Sequence, residues 1–134
     1  MYKELVRTLI NAEMQDVSLY QAEVEAFGGN PVNGAKLAKL FLRLADEELK
    51  HLKALGEITN ENTGFRHRNT DPPRSIQAAL RAHTDREASS IVMYRALLKL
   101  MKKPEALETI KSIILAERAH LAAIREFQAQ IKKA

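Results

Sequence analysis

The chain has 134 residues, with 21 Lys and Arg against 17 acidic residues, a net charge of +4 and no cysteine. Without cysteine these residues cannot build disulfides, zinc ribbons, iron–sulfur clusters or a thiol nucleophile, and a reducing compartment suits them. No apolar run approaches the ~20 residues that cross a bilayer. Met1 to Leu5 shows no apolar stretch leading to a cleavage site, so the sequence predicts one cytoplasmic domain with no membrane partner. The basic residues are spread along the chain. Only Arg66-His67-Arg68 and Lys132-Lys133 cluster. With no aromatics between them they read as solvated surface, and no nucleic-acid partner is expected.

Four helical patterns follow in order, and no strand pattern competes. The first covers about 2–27, with Val6, Leu9, Glu13, Val17, Tyr20, Val24 and Phe27 at steps of three and four. Gly28-Gly29 is expected to end it in the left-handed conformation, and Asn33 is expected to cap the next helix. The second pattern covers about 34–58, with Leu37, Phe41, Leu44, Glu48, His51, Leu55 and Ile58. Thr59 to Arg74 has no periodicity and is rich in Asn, Thr, Gly and Pro. It is too long for a hairpin turn and long enough to run the length of a bundle.

The third pattern covers about 75–101, with Ile76, Leu80, His83, Glu87, Ser90, Tyr94, Leu97 and Met101 inward. A tight turn at Lys102-Lys103 leads to Pro104, suited to the first position of a helix. The fourth pattern covers about 104–132, with Ile110, Ile113, Glu117, His120, Ile124, Phe127 and Ile131. Short, long and short connections predict an all-α four-helix bundle of the ferritin-like type. Two helical hairpins, running up-down-down-up, would be joined by one long crossover.

A composite motif occurs twice. Glu13 and Tyr20 are followed by Glu48-x-x-His51, and Glu87 and Tyr94 by Glu117-x-x-His120. Glu13 to Glu87 and Tyr20 to Tyr94 are both 74 residues apart, and Glu48 to Glu117 is 69. All six Glu and His lie on the apolar stripes near mid-helix. A buried carboxylate without a partner costs several kcal/mol or keeps its proton. Four in one core repel, and the stripes carry no Lys or Arg at their level. Two divalent cations would balance four carboxylates. Residues i and i+3 share a helix face, so each Glu-x-x-His can serve one metal pair. An oxygen-rich set with one nitrogen per metal suits iron, or manganese or a mixed pair, better than copper or a structural zinc.

Other residues were weighed on the same stripes. Tyr20, Tyr94 and His83 are placed to support the ligands by hydrogen bonds. His83 is otherwise a buried histidine satisfied by a neighbour. Asp16 reads as a solvated or capping residue rather than a seventh ligand. Glu47 points about 100° from Glu48 and reads as surface. His67 is expected in solvent, and Met14, Met93 and Met101 in the core or at its edge.

The stretches Ala12 to Tyr20, Leu44 to His51, Glu87 to Tyr94 and Leu115 to His120 resemble the rubrerythrin family of ferritin-like di-iron carboxylate proteins, over nearly the whole chain. The resemblance implies Glu13 and Glu87 as terminal ligands, and Glu48 and Glu117 as bridges. His51 would complete the metal held by Glu13, and His120 the metal held by Glu87. It also implies an oxidoreductase with two Fe ions, acting on O2 or hydrogen peroxide. Two departures stand out. The cysteine-rich rubredoxin centre of such proteins has no counterpart here, so an external electron-transfer protein is expected. Ser90 also stands where the family places an additional third-helix Glu. Iron handling by a ferroxidase, or a bundle with structural metals and a binding partner, are the alternative functions. A homodimer or larger homo-oligomer is expected.

Overall fold

Apolar residues at three- and four-residue steps give four long helices, because only one face of each can leave water. In the computed structural model, which describes residues 1–133, these are α1 (Tyr2–Phe27), α2 (Gly34–Thr59), α3 (Ile76–Leu100) and α4 (Pro104–Lys133). No strand occurs among the described residues. Each helix packs on two others: α1 on α2 and α3, and α4 on α3 and α2. The α1–α2 and α3–α4 hairpins lie side by side with α1 antiparallel to α3, giving the expected up-down-down-up bundle. No described helix is long and apolar enough to cross a membrane.

The ends of the helices correct the sequence reading in three places. Neither Gly28 nor Gly29 is left-handed: Gly28 has φ −60°, and no described glycine has positive φ. The constraint is steric: a Cβ would lie 2.5 Å from the Val24 carbonyl oxygen at Gly28, and 2.4 Å from the Gly28 carbonyl oxygen at Gly34. Asn33 does not cap α2 with its side chain. Asn30 closes the turn, its Oδ1 accepting from Val32 N at 3.1 Å and Asn33 N at 2.9 Å. The left-handed residue is Asn60 (φ 60°), which caps α2 by donating to Gly56 O. Asparagine tolerates this region better than other side chains. Ser75 caps α3 rather than starting it, accepting from Ala78 N at 3.0 Å.

The crossover is pinned to α1. Arg68 N donates to Ser18 Oγ at 2.9 Å, and its guanidinium donates to Asn11 Oδ1 at 2.7 Å. Arg68 is therefore a structural anchor, not merely solvated surface. His67 is exposed as expected. The side chains of Lys132 and Lys133 lie outside the described residues.

Two apolar clusters fill the bundle. One holds Val6, Leu9, Met14, Leu52, Leu55, Tyr94, Leu97, Ile110 and Ile113. The other holds Val17, Tyr20, Leu37, Phe41, Leu44, Leu80, Ile124 and Phe127. Phe65 of the crossover packs against both. The polar members of the four stripes fall between these clusters.

Candidate metal centre

Each helix carries its polar residues on its buried stripe, so bundle formation brings them to one level. Glu13, Glu48, Glu87 and Glu117 are completely buried; His120 is 1% and His51 8% exposed. They form two overlapping groups. In the first, Glu13, Glu48, His51 and Glu117 offer ligand atoms all within 4.8 Å of one another. The second joins Glu48, Glu87, Glu117 and His120 on the same criterion. Glu48 and Glu117 belong to both.

His51 Nδ1 lies 2.8 Å from Glu117 Oε1, 3.3 Å from Glu48 Oε1 and 3.4 Å from Glu13 Oε2. His120 Nδ1 lies 3.1 Å from Glu48 Oε1 and 3.8 Å from Glu87 Oε1. The two imidazoles are nearly parallel, with centroids 5.6 Å apart. Each histidine thus turns the same nitrogen inward.

Electrostatics at this layer are severe. Burial first, and then the charges of Glu48 and Glu117, push the Glu13 carboxyl well above its ordinary 4.5. Burial and then Glu117 and Glu87 do the same to Glu48. Burial and the neighbouring Glu117 push Glu87 up to about 9. For Glu117 burial acts upward too, but the neighbouring Glu87, His51 and Glu48 outweigh it and bring the group down to about 2. His51 and His120 both rise to about 9, because the carboxylates around them outweigh burial. Cations entering such a cluster displace protons from it.

The donors fit a pair of cations. Both oxygens of Glu13 and of Glu48, one oxygen each of Glu87 and Glu117, and His120 Nδ1 are buried without a hydrogen-bond partner. Buried polar atoms are normally satisfied, and a cluster of unsatisfied carboxylate oxygens on facing helices is what divalent metals complete.

The surrounding residues divide. Tyr20 OH donates to Glu87 Oε1 at 3.3 Å. Tyr94 is fully buried, but its hydroxyl has no partner among the described residues. His83 does not reach the six residues by any hydrogen bond. Its Nε2 pairs with Glu23 Oε1 at 2.6 Å, and its ring stacks on Tyr20 at 4.0 Å. Met14 is buried, and Met93 and Met101 lie at the core edge, as expected.

Asp16 and Glu47 depart from expectation. Asp16 is 1% exposed, not solvated, and accepts from Arg86 Nε across the α1–α3 interface. Arg86 also donates to Ala12 O at 3.2 Å. A cation therefore does stand at this level, reaching in from beside the stripe, but it serves Asp16 and no bond joins it to the four Glu. Glu47 is not simply surface. Its Oε1 lies 3.0 Å from His120 Nε2, which fixes the ring with Nδ1 facing the carboxylates. Glu23, Glu47 and Arg86 were missed. Glu23 had a usable signal, lying three residues after Tyr20 on the same face. For Glu47 the signal was the outer nitrogen of His120, which needs an acceptor on the facing helix.

A family model described as Rubrerythrin matches residues 4–128. The chain belongs to the rubrerythrin family. No curated protein and no solved structure matches it. Membership makes this a chain of a di-iron carboxylate family, and its buried Glu/His groups are suited to hold metal. Ser90 is buried at 1% and lines a cavity of about 200 Å³ with Ala12, Arg86 and Met93. His51 lines an open groove of about 430 Å³, together with Lys50, Glu108, Ser112 and Ala116.

Proposed function

We propose that this rubrerythrin-family chain is a non-haem di-iron oxidoreductase that reduces O2 or hydrogen peroxide with electrons from an external donor. The observation that carries the reading is the pair of buried ligand groups sharing Glu48 and Glu117. In this reading Glu13 and His51 would hold one iron and Glu87 and His120 the other, with Glu48 and Glu117 shared between them. When bound, such a pair supplies two reducing equivalents and concentrated positive charge for a small oxygen substrate.

The chain's own residues do the rest. Glu47 holds the His120 ring in one tautomer, and Tyr20 restrains Glu87 by its hydroxyl. Two apolar clusters close the site above and below, excluding bulk water. The groove at His51 is the way in for a small oxidant, because it opens onto a member of the ligand set. The same groove is where an electron donor would approach. With no cysteine, these residues carry no iron–sulfur centre of their own.

The test is peroxide consumption by iron-loaded, reduced protein. One turnover is expected without a donor, and repeated turnover once a chemical reductant or electron-transfer protein is added. Sustained consumption without any reductant would overturn the reading in favour of disproportionation. Retention of two irons with no reaction toward either oxidant would leave a structural role.

A further inference from the structure

The two ligand groups are alike in composition and unlike in support. Each offers three carboxylates and one imidazole, and Glu48 and Glu117 serve both. The residues peculiar to the second group are both braced. Tyr20 donates to Glu87 at 3.3 Å, and Glu47 Oε1 lies 3.0 Å from His120 Nε2. Those peculiar to the first are not. Both Glu13 oxygens are buried without a hydrogen-bond partner. At the place equivalent to Glu47, one residue before Glu117, stands Ala116, whose side chain has no acceptor to offer. His51 and Ala116 line the open groove, whereas His120 is 1% exposed.

We propose that the two halves of the centre fill in order. A first divalent cation settles tightly at Glu87 and His120, and a second binds more weakly and exchangeably at Glu13 and His51, through the groove. This rests on the reading of the two groups as a metal pair. With the same donor types on both sides, the difference must come from what holds the donors. A carboxylate on the far nitrogen of a ligating histidine orients the ring and makes it a stronger ligand, and its loss commonly costs about 10–100-fold in metal affinity. Ligands already held in place also lose less freedom when the cation arrives. The shared carboxylates widen the gap. The first cation takes up part of the charge of Glu48 and Glu117, so the second meets a less negative site and a like charge close by. Release follows the same order, because His51 faces a groove that a chelator can enter, and Glu47 stands over His120. Offered two different divalent ions in turn, the chain would hold the first at His120 and the second at His51.

The experiment titrates the full metal-free chain with Zn(II) alone, which is redox-silent and so reads binding apart from any reaction. The chain has four histidines, so the magnetic resonance signals of nitrogen-labelled imidazoles can be followed one by one. His120 should shift over the first equivalent and His51 over the second, with dissociation constants about 10–100-fold apart. A chelator added afterwards should free His51 first. Glu47→Ala should weaken the first cation about tenfold and leave the second nearly unchanged, and Ala116→Glu should tighten the second about tenfold. Simultaneous shifts with equal constants would overturn the proposal, as would a shift of His51 before His120. So would two constants that neither variant moves. Zn(II) that shifts neither histidine would instead sink the metal-pair reading beneath the proposal, so the two failures are told apart.

Discussion

The two halves of the duplicated motif supply the same ligands in different surroundings. In the first half Tyr20 stacks on His83, meets the edge of Phe41 and donates to Glu87. His83 is in turn paired with Glu23. The positions matching His83 and Glu23 around Tyr94 are Leu9 and Leu97, both fully buried, and the Tyr94 hydroxyl is unpaired. The histidines differ in the reverse sense. Glu47 covers His120, while its counterpart beside His51 is Ala116, which lines the open groove. Duplication kept the residues whose place is fixed by the ligand geometry. It let the supporting residues diverge, so the first half became polar at its tyrosine and open at its histidine, and the second apolar at its tyrosine and closed at its histidine.

The largest test treats both halves together. Glu48→Ala with Glu117→Ala removes the two residues common to both groups. It should abolish iron binding, read by elemental analysis, with helix content by circular dichroism nearly unchanged; two tightly held irons would refute the shared-ligand assignment. Next comes the polar pair found beside Tyr20 and not beside Tyr94. Glu23→Leu should destabilise the metal-free protein by about 3 kcal/mol in a denaturant titration, since it leaves His83 buried and alone. Adding His83→Leu copies the other half, and most of that loss should return. If the double variant is as unstable as the single one, the pair does more than satisfy itself.

A smaller effect is expected at the groove. Ala116→Glu gives His51 the acceptor that His120 already has and narrows the way in. Stopped-flow reaction with peroxide should slow about tenfold, or 1.4 kcal/mol, at unchanged iron content; an unaltered rate would place the entrance elsewhere. The smallest effect separates the tyrosines. Tyr20→Phe should cost about 1 kcal/mol of stability, the net value of one buried hydrogen bond. Tyr94→Phe should cost nothing, because its hydroxyl bonds to nothing. Equal losses would mean that Tyr94 finds a partner in solution.

The helices and the six converging residues were legible because burial is periodic and chemistry is not tolerated by accident on a buried stripe. Glu13, Glu48, His51, Glu87, Glu117 and His120 each occupy a position where a leucine would be ordinary. Residues one step off a stripe were not legible. Glu47 and Arg86 reach inward from half-buried positions on long side chains, and their destinations depend on the neighbouring helix. Asp16 was misjudged for the same reason: its partner is 70 residues away in sequence. The turns failed differently. Gly28 looked like a left-handed cap, but what the turn needs is a missing Cβ, at Gly28 and again at Gly34, close approaches that local sequence does not display.

The crossover has a consequence for how the chain assembles. Each hairpin can form from contacts near in sequence, the kind that form fastest. Neither hairpin alone contains a full ligand group: the first lacks Glu117, and the second lacks Glu48. The segment between Asn60 and Ser75 tethers the two, and Phe65 and Arg68 fasten that tether to the packed product. Docking is therefore the late and repulsive step, since it drives four carboxylates into one layer. A cation arriving at that moment would act as a latch, slowing the separation of the hairpins more than it speeds their meeting.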